Sequence, residues 1–504
     1  MQSHTRRVAA LYLVTGLVGG GGAWPEPGPA PRLKVSENGR FLVKEDGTPF
    51  FWLGDTAWEL FHRLDLEESE RYLRDRAEKG FTVIQAVVLA EFGGLTVPNA
   101  NGDLPLIDRD PTRPNERYFE HVDAVVEAAS RLGVYIGMLP TWGDKWNRKW
   151  GEGPEIFTPE NAEVYGEYLG RRYRDKPVVW ILGGDRPPEN EQHLAIVRAM
   201  AAGLRRGDEG RHLFTYHPSG GQSSAMWFHE DDWLSFNMIQ SGHWTRNNAN
   251  YIMIAADYAR TPTKPCLDGE PCYEQIAVQF KPALGRFDDL DVRKAAYWAV
   301  FAGAHGHTYG ANGIFQFYVP SRPAEFDAVV PWQEALSFPG AGQMRHLRAL
   351  MESRPFLTRV PDQSLIVTLS QDTTHGDVTL GPEGEGHELG PRTAATSESE
   401  VPGVTTEAQG SRHVQATRDA SGCYAMIYIP ASGQTVAVDS SRLSGKALKA
   451  WWYNPRTGEA EAVCGQFAVG GRLEFTSPAG GPDWVLVLDD ASRGFPAPGT
   501  RQPS

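Results

Sequence analysis

The stretch Val178-Val179-Trp180-Ile181-Leu182-Gly183-Gly184-Asp185 is a short apolar run that ends in two glycines and a carboxylate. A run of this length without polar alternation reads as a strand buried on both faces, as a parallel sheet covered by helices requires. Just upstream, Pro159–Tyr173 carries apolar side chains at helical spacing behind a Thr-Pro start. Outward in both directions the same unit recurs, an apolar run, a polar loop and an amphipathic helix. The runs fall at residues 50–54, 82–89, 134–139, 178–182, 213–216, 234–238, 265–268 and 307–317. The clearest helices fall at 66–79, 116–132, 159–173, 191–206 and 292–302, with Gly80 and Gly133 where helix ends favour glycine. Eight such strands alternating with helices predict a (β/α)8 TIM barrel over residues 33–349. A doubly wound sheet uses similar units, but no Gly-x-Gly-x-x-Gly follows the first run.

After residue 349 the period changes to short alternating runs with turn residues between them, at 364–370, 424–429, 435–439, 447–454 and 484–488. That spacing predicts a small all-β sandwich over residues 350–490. Trp451 and Trp452 are adjacent in one run, so they point to opposite faces and packing is favoured over ligand binding. Residues 381–411 are rich in Gly, Glu, Ser and Thr without periodicity and read as a long loop or insertion, and residues 491–504 as a floppy tail. At the other end, Arg6 and Arg7 precede an apolar run at 8–18, and Gly21 and Ala23 supply small residues for cleavage. This is the layout of a signal peptide over residues 1–23, followed by a Pro-rich linker at 24–32. The apolar run is about half of the ~20 residues a membrane span needs, so the expected location is secreted or periplasmic.

The chain has 504 residues and a net charge of −14, without the clustered Lys and Arg that a nucleic-acid partner demands. Its 54 Gly, 15 Trp and 17 Tyr exceed what a plain core needs and suit loop-built aromatic clefts for sugars. Four cysteines leave two pairings, Cys266 with Cys272 and Cys423 with Cys464, alongside four unpaired thiols as open alternatives.

Barrel active sites lie at the C-terminal ends of the strands, so the polar residues after each run are the candidates. They are Asp55 and Trp58, Glu91, Trp142, Asp185, His217, then Asn237, Gln240, His243 and Trp244, then Glu270, and finally His307. Glycoside hydrolysis needs two carboxyl groups, one to protonate the leaving oxygen and one to attack or to activate water. Asp185 and Glu270 end the fourth and seventh runs, the placement that many retaining barrel glycosidases give to acid/base and nucleophile. The other ten are read as sugar-binding, with capping an equal reading for Asp55 and Trp58, Trp142, Trp146 and Trp244 as ring-stacking platforms. No His-x-x-x-His or Cys-x-x-Cys spacing supports a metal, no cofactor is expected, and no Gly-x-Ser-x-Gly elbow supports a serine esterase.

Phe51-Trp52-Leu53-Gly54-Asp55-Thr56-Ala57-Trp58, Trp180-Ile181-Leu182-Gly183-Gly184-Asp185 and Asp268-Gly269-Glu270-Pro271-Cys272-Tyr273-Glu274 together resemble the apiosidase-like family, glycoside hydrolase family 140. The later segment Trp451-Trp452-Tyr453-Asn454-Pro455-Arg456-Thr457-Gly458 is similar to the small β-domain, of collagen-binding type by name, that often follows this barrel. The resemblance implies hydrolysis of a bond to apiose in the branched pectin rhamnogalacturonan II, with the family's Asp on Asp185 and its Glu on Glu270. It also departs from the commonest barrel pattern, in which the fourth strand ends in Asn-Glu. A polysaccharide or oligosaccharide is the expected partner. A non-catalytic carbohydrate-binding barrel and a glycosidase for another furanoside or pyranoside are the alternatives, and the oligomeric state is left open.

Overall fold

Eight apolar runs do form a ring of strands, and their ends decide where the site lies. A computed structural model describes residues 31–369 and 411–500. The barrel strands are β1 (Trp52–Thr56), β2 (Val83–Leu89), β3 (Tyr135–Thr141), β4 (Val178–Gly183), β5 (Phe214–His217), β6 (Asn237–Gln240), β7 (Cys266–Asp268) and β8 (Gly306–Tyr309). β1 through β5 pair in parallel sequence, and β1 also pairs with β8, β8 with β7 and β7 with β6. The seam between β5 and β6 is held by Ser235 N–H donating to Phe214 O at 2.9 Å and Thr215 Oγ1 donating to Phe236 O at 2.8 Å. A two-residue strand, Gln222–Ser223, pairs antiparallel with β6.

The helices follow the periodicity closely: α1 (Leu66–Glu78), α2 (Glu116–Arg131), α3 (Pro159–Tyr173), α4 (Glu191–Gly207), α5 (Asn250–Tyr258), α6 (Asp289–Phe301) and α7 (Pro339–Glu352). Their starts are chemically marked. Asp65 with Glu68, Thr158 with Asn161 and Asp288 with Asp291 each close a reciprocal capping pair that satisfies two otherwise orphaned backbone N–H groups. The expected eighth run at 307–317 is shorter in fact: the strand stops at Tyr309, and Asn312–Phe315 is one helical turn. The sixth strand begins at Asn237, three residues later than the apolar run suggested. Leu33–Val35, Leu42–Lys44 and Pro49–Phe50 form a three-stranded antiparallel sheet whose Phe41, Leu42 and Phe50 join the barrel core.

The all-β region comprises β9 (Arg359–Pro361), β10 (Ile366–Leu369), β11 (Gln415–Asp419), β12 (Tyr424–Ile429), β13 (Thr435–Asp439), β14 (Ala447–Tyr453), β15 (Ala460–Ala462), β16 (Phe467–Ala468), β17 (Arg472–Thr476) and β18 (Trp484–Asp490). One sheet runs β9-β11-β12-β18-β14-β15 with β16 beside β14, and a second runs β10-β13-β17. Strand alternation assigns its two faces. Tyr424, Met426, Tyr428, Trp451, Tyr453, Val485 and Val487 belong to the barrel's core cluster, whereas Ala425, Ile427, Ile429, Leu448, Ala450, Leu486 and Leu488 pack toward the second sheet. Trp451 is accordingly buried and Trp452 half-buried.

The junction is dry and charged. Arg293 on α6 makes two bonds to Asp483, Nε to Oδ2 at 2.7 Å and Nη2 to Oδ1 at 2.9 Å, and Arg456 Nη1 adds a third at 2.8 Å. Arg354 pairs with Asp489 in the same two-pronged way. The expected floppy tail is a correction up to residue 500: Phe495 lies under the Arg354 guanidinium, and Arg354 Nη2 donates to Pro496 O. All four cysteines are unpaired, three of them buried and Cys464 exposed, so neither disulfide forms. The leader, the linker up to residue 30, most of the 381–411 segment and residues 501–504 lie outside the described residues.

Candidate active site

The carboxylate end of the barrel opens into a cleft of about 260 Å³ lined by Trp58, Glu91, Trp142, Trp150, Asp185, Gln240, His243, Trp244, Glu270 and Tyr273 among others. A cavity of similar size, about 270 Å³, lies where Tyr135 begins β3, at the opposite end. Of its cations Arg32, Arg174, Lys176 and Arg211, the last three are paired with Glu209, Glu127 and Asp175, and it brings no pair of carboxyl groups together. The chemistry is in the first cleft.

Glu270 follows β7 by two residues, and the backbone reaches it through Gly269, where a Cβ would collide with the Met238 side chain. Its side chain is 7% exposed. Two imidazoles face it. His243 Nε2 lies 3.1 Å from Oε1, and His217 Nε2 makes a short, more angled approach of 2.9 Å to Oε2. The other nitrogen of each ring is spoken for: the backbone N–H of Asp185 donates to His217 Nδ1 and that of Tyr273 to His243 Nδ1, both at 3.3 Å. Each ring thus turns its Nε2 to the carboxylate. Burial by itself would raise the Glu270 carboxyl, but the hydrogen bonds and charge interaction from His217 and His243 more than offset it and bring it down to about 2.

Asp185 comes off β4 through Gly183 and Gly184, both with left-handed φ of 96° and 99°, and itself sits at φ 58°. A Cβ on Gly183 would strike His217 O, and one on Gly184 would come within 2.7 Å of Gly143 N, so only glycine allows β4 to end this close to its neighbours. Arg186, fully buried, donates from Nη1 to Asp185 Oδ2 at 3.1 Å, and its Nη2 stands 3.5 Å from Glu91 Oε1. One guanidinium therefore faces two carboxyls. Burial raises Glu91 to about 8 despite Arg186, with the charges of Asp185 and Asp144 adding to the rise.

Of the remaining sequence candidates, Gln240 and Trp244 line the cleft. Trp58 and Trp142 line it too, but each is only 2% exposed; their rings flank His217 at 5.2 and 5.8 Å, and Trp58 Nε1 donates to Tyr273 Oη at 3.1 Å. They hold the imidazole in place. Trp146 is buried against His193, away from the cleft.

Three candidates are corrected. Asp55 is fully buried, hydrogen-bonded to Tyr72 Oη at 2.6 Å and paired with Arg76 on α1, so it faces outward to the helix and neither caps nor meets the cleft. Asn237 is the first residue of β6 and bonds the His229 ring. His307 lies inside β8, fully buried, and burial lowers it to about 3, which keeps it neutral beneath the site.

The sequence reading missed Arg186, Trp150, Phe280 and Phe326. Arg186 directly follows the carboxylate it pairs with, and Trp150 continues the four-residue spacing of Trp142 and Trp146. The two phenylalanines carry no such signal. Among the described residues, no group of three His, Cys, Asp or Glu is arranged to hold a metal ion.

Residues 36–358 match the model of the family "Apiosidase-like, catalytic domain", and residues 404–489 match "Putative collagen-binding domain of a collagenase". Among solved structures, the chain is 33% identical to one described as a glycoside hydrolase, covering 92% of this chain and 98% of that one with a TM-score of 0.77. It is 32% identical to a glycoside hydrolase family 5 protein from Bacteroides vulgatus ATCC 8482, covering 94% and 96% with a TM-score of 0.78. No curated protein matches.

Proposed function

The chain belongs to the apiosidase-like family of glycoside hydrolases, and from that premise we propose that it is a retaining enzyme in which Glu270 attacks the anomeric carbon and Asp185 serves as acid/base. The observation that carries the reading is the Glu270 carboxylate, buried yet held ionised by the His217 and His243 imidazoles that face it, in the cleft that Asp185 also lines. A nucleophile must be unprotonated and stripped of water, and this environment supplies both conditions. Asp185 would protonate the departing oxygen and then take a proton from the incoming water. The substrate reading is an apiosyl linkage in a pectin side chain, and the leader pattern at residues 1–23 supports export.

The proton on Glu91 favours a second reading. With Arg186 shared, Asp185 is the nearer carboxyl to the guanidinium while Glu91 keeps its proton at neutral pH, so Glu91 is the alternative acid. The two readings separate on 4-nitrophenyl β-D-apiofuranoside, whose leaving group needs no protonation. In a retaining enzyme, loss of the acid/base slows the second step, and azide restores turnover. Azide rescue of Asp185→Gly and not of Glu91→Gly supports the first reading; the reverse supports the second. A wild type that releases no apiose from the nitrophenyl glycoside or from pectic side chains removes the substrate reading.

A further inference from the structure

Among the described residues, three Trp or Phe side chains are exposed, Trp150 at 46%, Phe280 at 40% and Phe326 at 42%, and all three line the catalytic cleft. Exposed aromatic rings gathered in one concavity mark a binding surface. Two of them are neighbours. Phe280, in the loop after β7, and Phe326, in the loop after β8, have ring centroids 5.0 Å apart. Phe315 joins Phe326 at 6.0 Å, and with Ile276 they make an apolar wall of the cleft that also holds Glu91, Asp185, Gln240 and Glu270, Phe280 lying 5.6 Å from the His243 ring.

The backbone beneath both rings is unusual. Gln279 and Phe280 have φ of 55° and 57°, and Phe326 and Asp327 have 47° and 54°, the left-handed region that bulky side chains avoid. Such conformations persist only where surrounding bonds over-determine them. Here they do. Gln279 N–H donates to His243 O at 3.0 Å and Phe280 N–H to Ala277 O at 2.9 Å. The Phe326 turn is held by Asn312 Nδ2 on Phe326 O at 3.0 Å, Gln316 Nε2 on Glu325 O at 2.8 Å and Arg286 Nη2 on Asp327 O at 2.9 Å. Two strained turns are thus braced so as to leave two phenyl rings in water side by side. Stability alone gives no reason for this.

We propose that Phe280 and Phe326 form a subsite for a sugar residue that presents a methyl, methoxyl or acetyl group where a plain sugar presents a hydroxyl. A fully hydroxylated ring can lay its C–H face on one phenyl, but a hydroxyl turned into the corner between Phe280, Phe326, Phe315 and Ile276 would meet no side chain that accepts or donates a hydrogen bond. A methyl group loses nothing there and removes apolar surface from water. The inference rests on the glycosidase reading only for the choice of a sugar as occupant, and it does not depend on which carboxyl is the acid.

The test is binding, without turnover, to the full-length Glu270→Gln protein. Calorimetric titration would use two matched pairs of free sugars, D-quinovose against D-glucose and L-fucose against L-galactose. The expected result is a preference of at least about fivefold for the deoxy member of one pair or both, lost in both Phe280→Ser and Phe326→Ser. Both side chains are exposed, and each variant checks the other. No preference in either pair, or a preference that survives both substitutions, overturns the proposal. Binding with this preference in a protein that hydrolyses nothing would leave the subsite standing and remove the catalytic assignment instead.

Discussion

Replacing His217 with Phe removes one of the two imidazoles that face Glu270 while filling the same space between Trp58 and Trp142. In the native protein the Glu270 carboxyl stands about 2.5 units below its ordinary 4.5, having been brought to about 2. At 1.36 kcal/mol per unit that is on the order of 3 kcal/mol in favour of the ionised form, and because burial opposes it, the two histidines together supply more than this. With the effect shared between two rings, one is worth on the order of 1–2 kcal/mol, and its loss should raise the carboxyl by about one unit. Stability follows with a definite sign. A depressed carboxylate contributes stability that is present above its unfolded value and is lost as pH falls through its folded value, so His217→Phe should be less stable at pH 7 by a similar amount, on the order of 1–2 kcal/mol. The assay is the 13C titration of the Glu270 carboxyl in selectively labelled protein, read beside the acid limb of kcat/KM. A Glu270 midpoint that moves by less than about 0.3 unit would show that the histidines are not what hold it ionised.

Three further outcomes follow from the same structure. Asp483→Ala leaves the buried Arg293 with Asp289 as its remaining carboxylate and takes that of Arg456 away, and should cost about 3 kcal/mol by chemical denaturation, whereas the paired change Arg293→Met with Asp483→Leu should recover part of the loss. Glu91 is held protonated to about 8, so the folded chain keeps a proton that the unfolded chain releases; stability should fall as pH rises from about 4.5 to 8, and Glu91→Gln should flatten that slope in urea midpoints measured across the range. One thiol, Cys464, should react with a thiol reagent in the native protein and all four after denaturation.

The helices and strand count were legible because apolar spacing is a backbone-wide signal, and the two principal carboxylates because Gly-Gly-Asp and Asp-Gly-Glu announce strand ends. Listing every polar residue near a strand end does not separate rim from interior, however. Asp55 is within β1 and turns outward to Arg76, and His307 is the second residue of β8 and lies too deep. Strand alternation and depth decide these cases, and a boundary error of one or two residues reverses them. Trp58 and Trp142 were found for a reason that the structure changes: they support His217 more than they face the solvent. Phe280 and Phe326 could not be read, since nothing in a lone phenylalanine in a loop foretells a left-handed turn braced by Asn312, Arg286 and the His243 carbonyl. The tail to residue 500 was misjudged because its few apolar residues pack only on a sheet made by distant strands.

The central claim is that Glu270 forms a covalent bond to the sugar. In Asp185→Gly mixed with 4-nitrophenyl β-D-apiofuranoside, the first step is spared and the second slowed, so the intermediate should accumulate. Mass spectrometry of the acid-quenched protein should find one glycosyl group, on the peptide that contains Glu270. An unmodified protein during active release of nitrophenol, or a glycosyl group on any other residue, would contradict it.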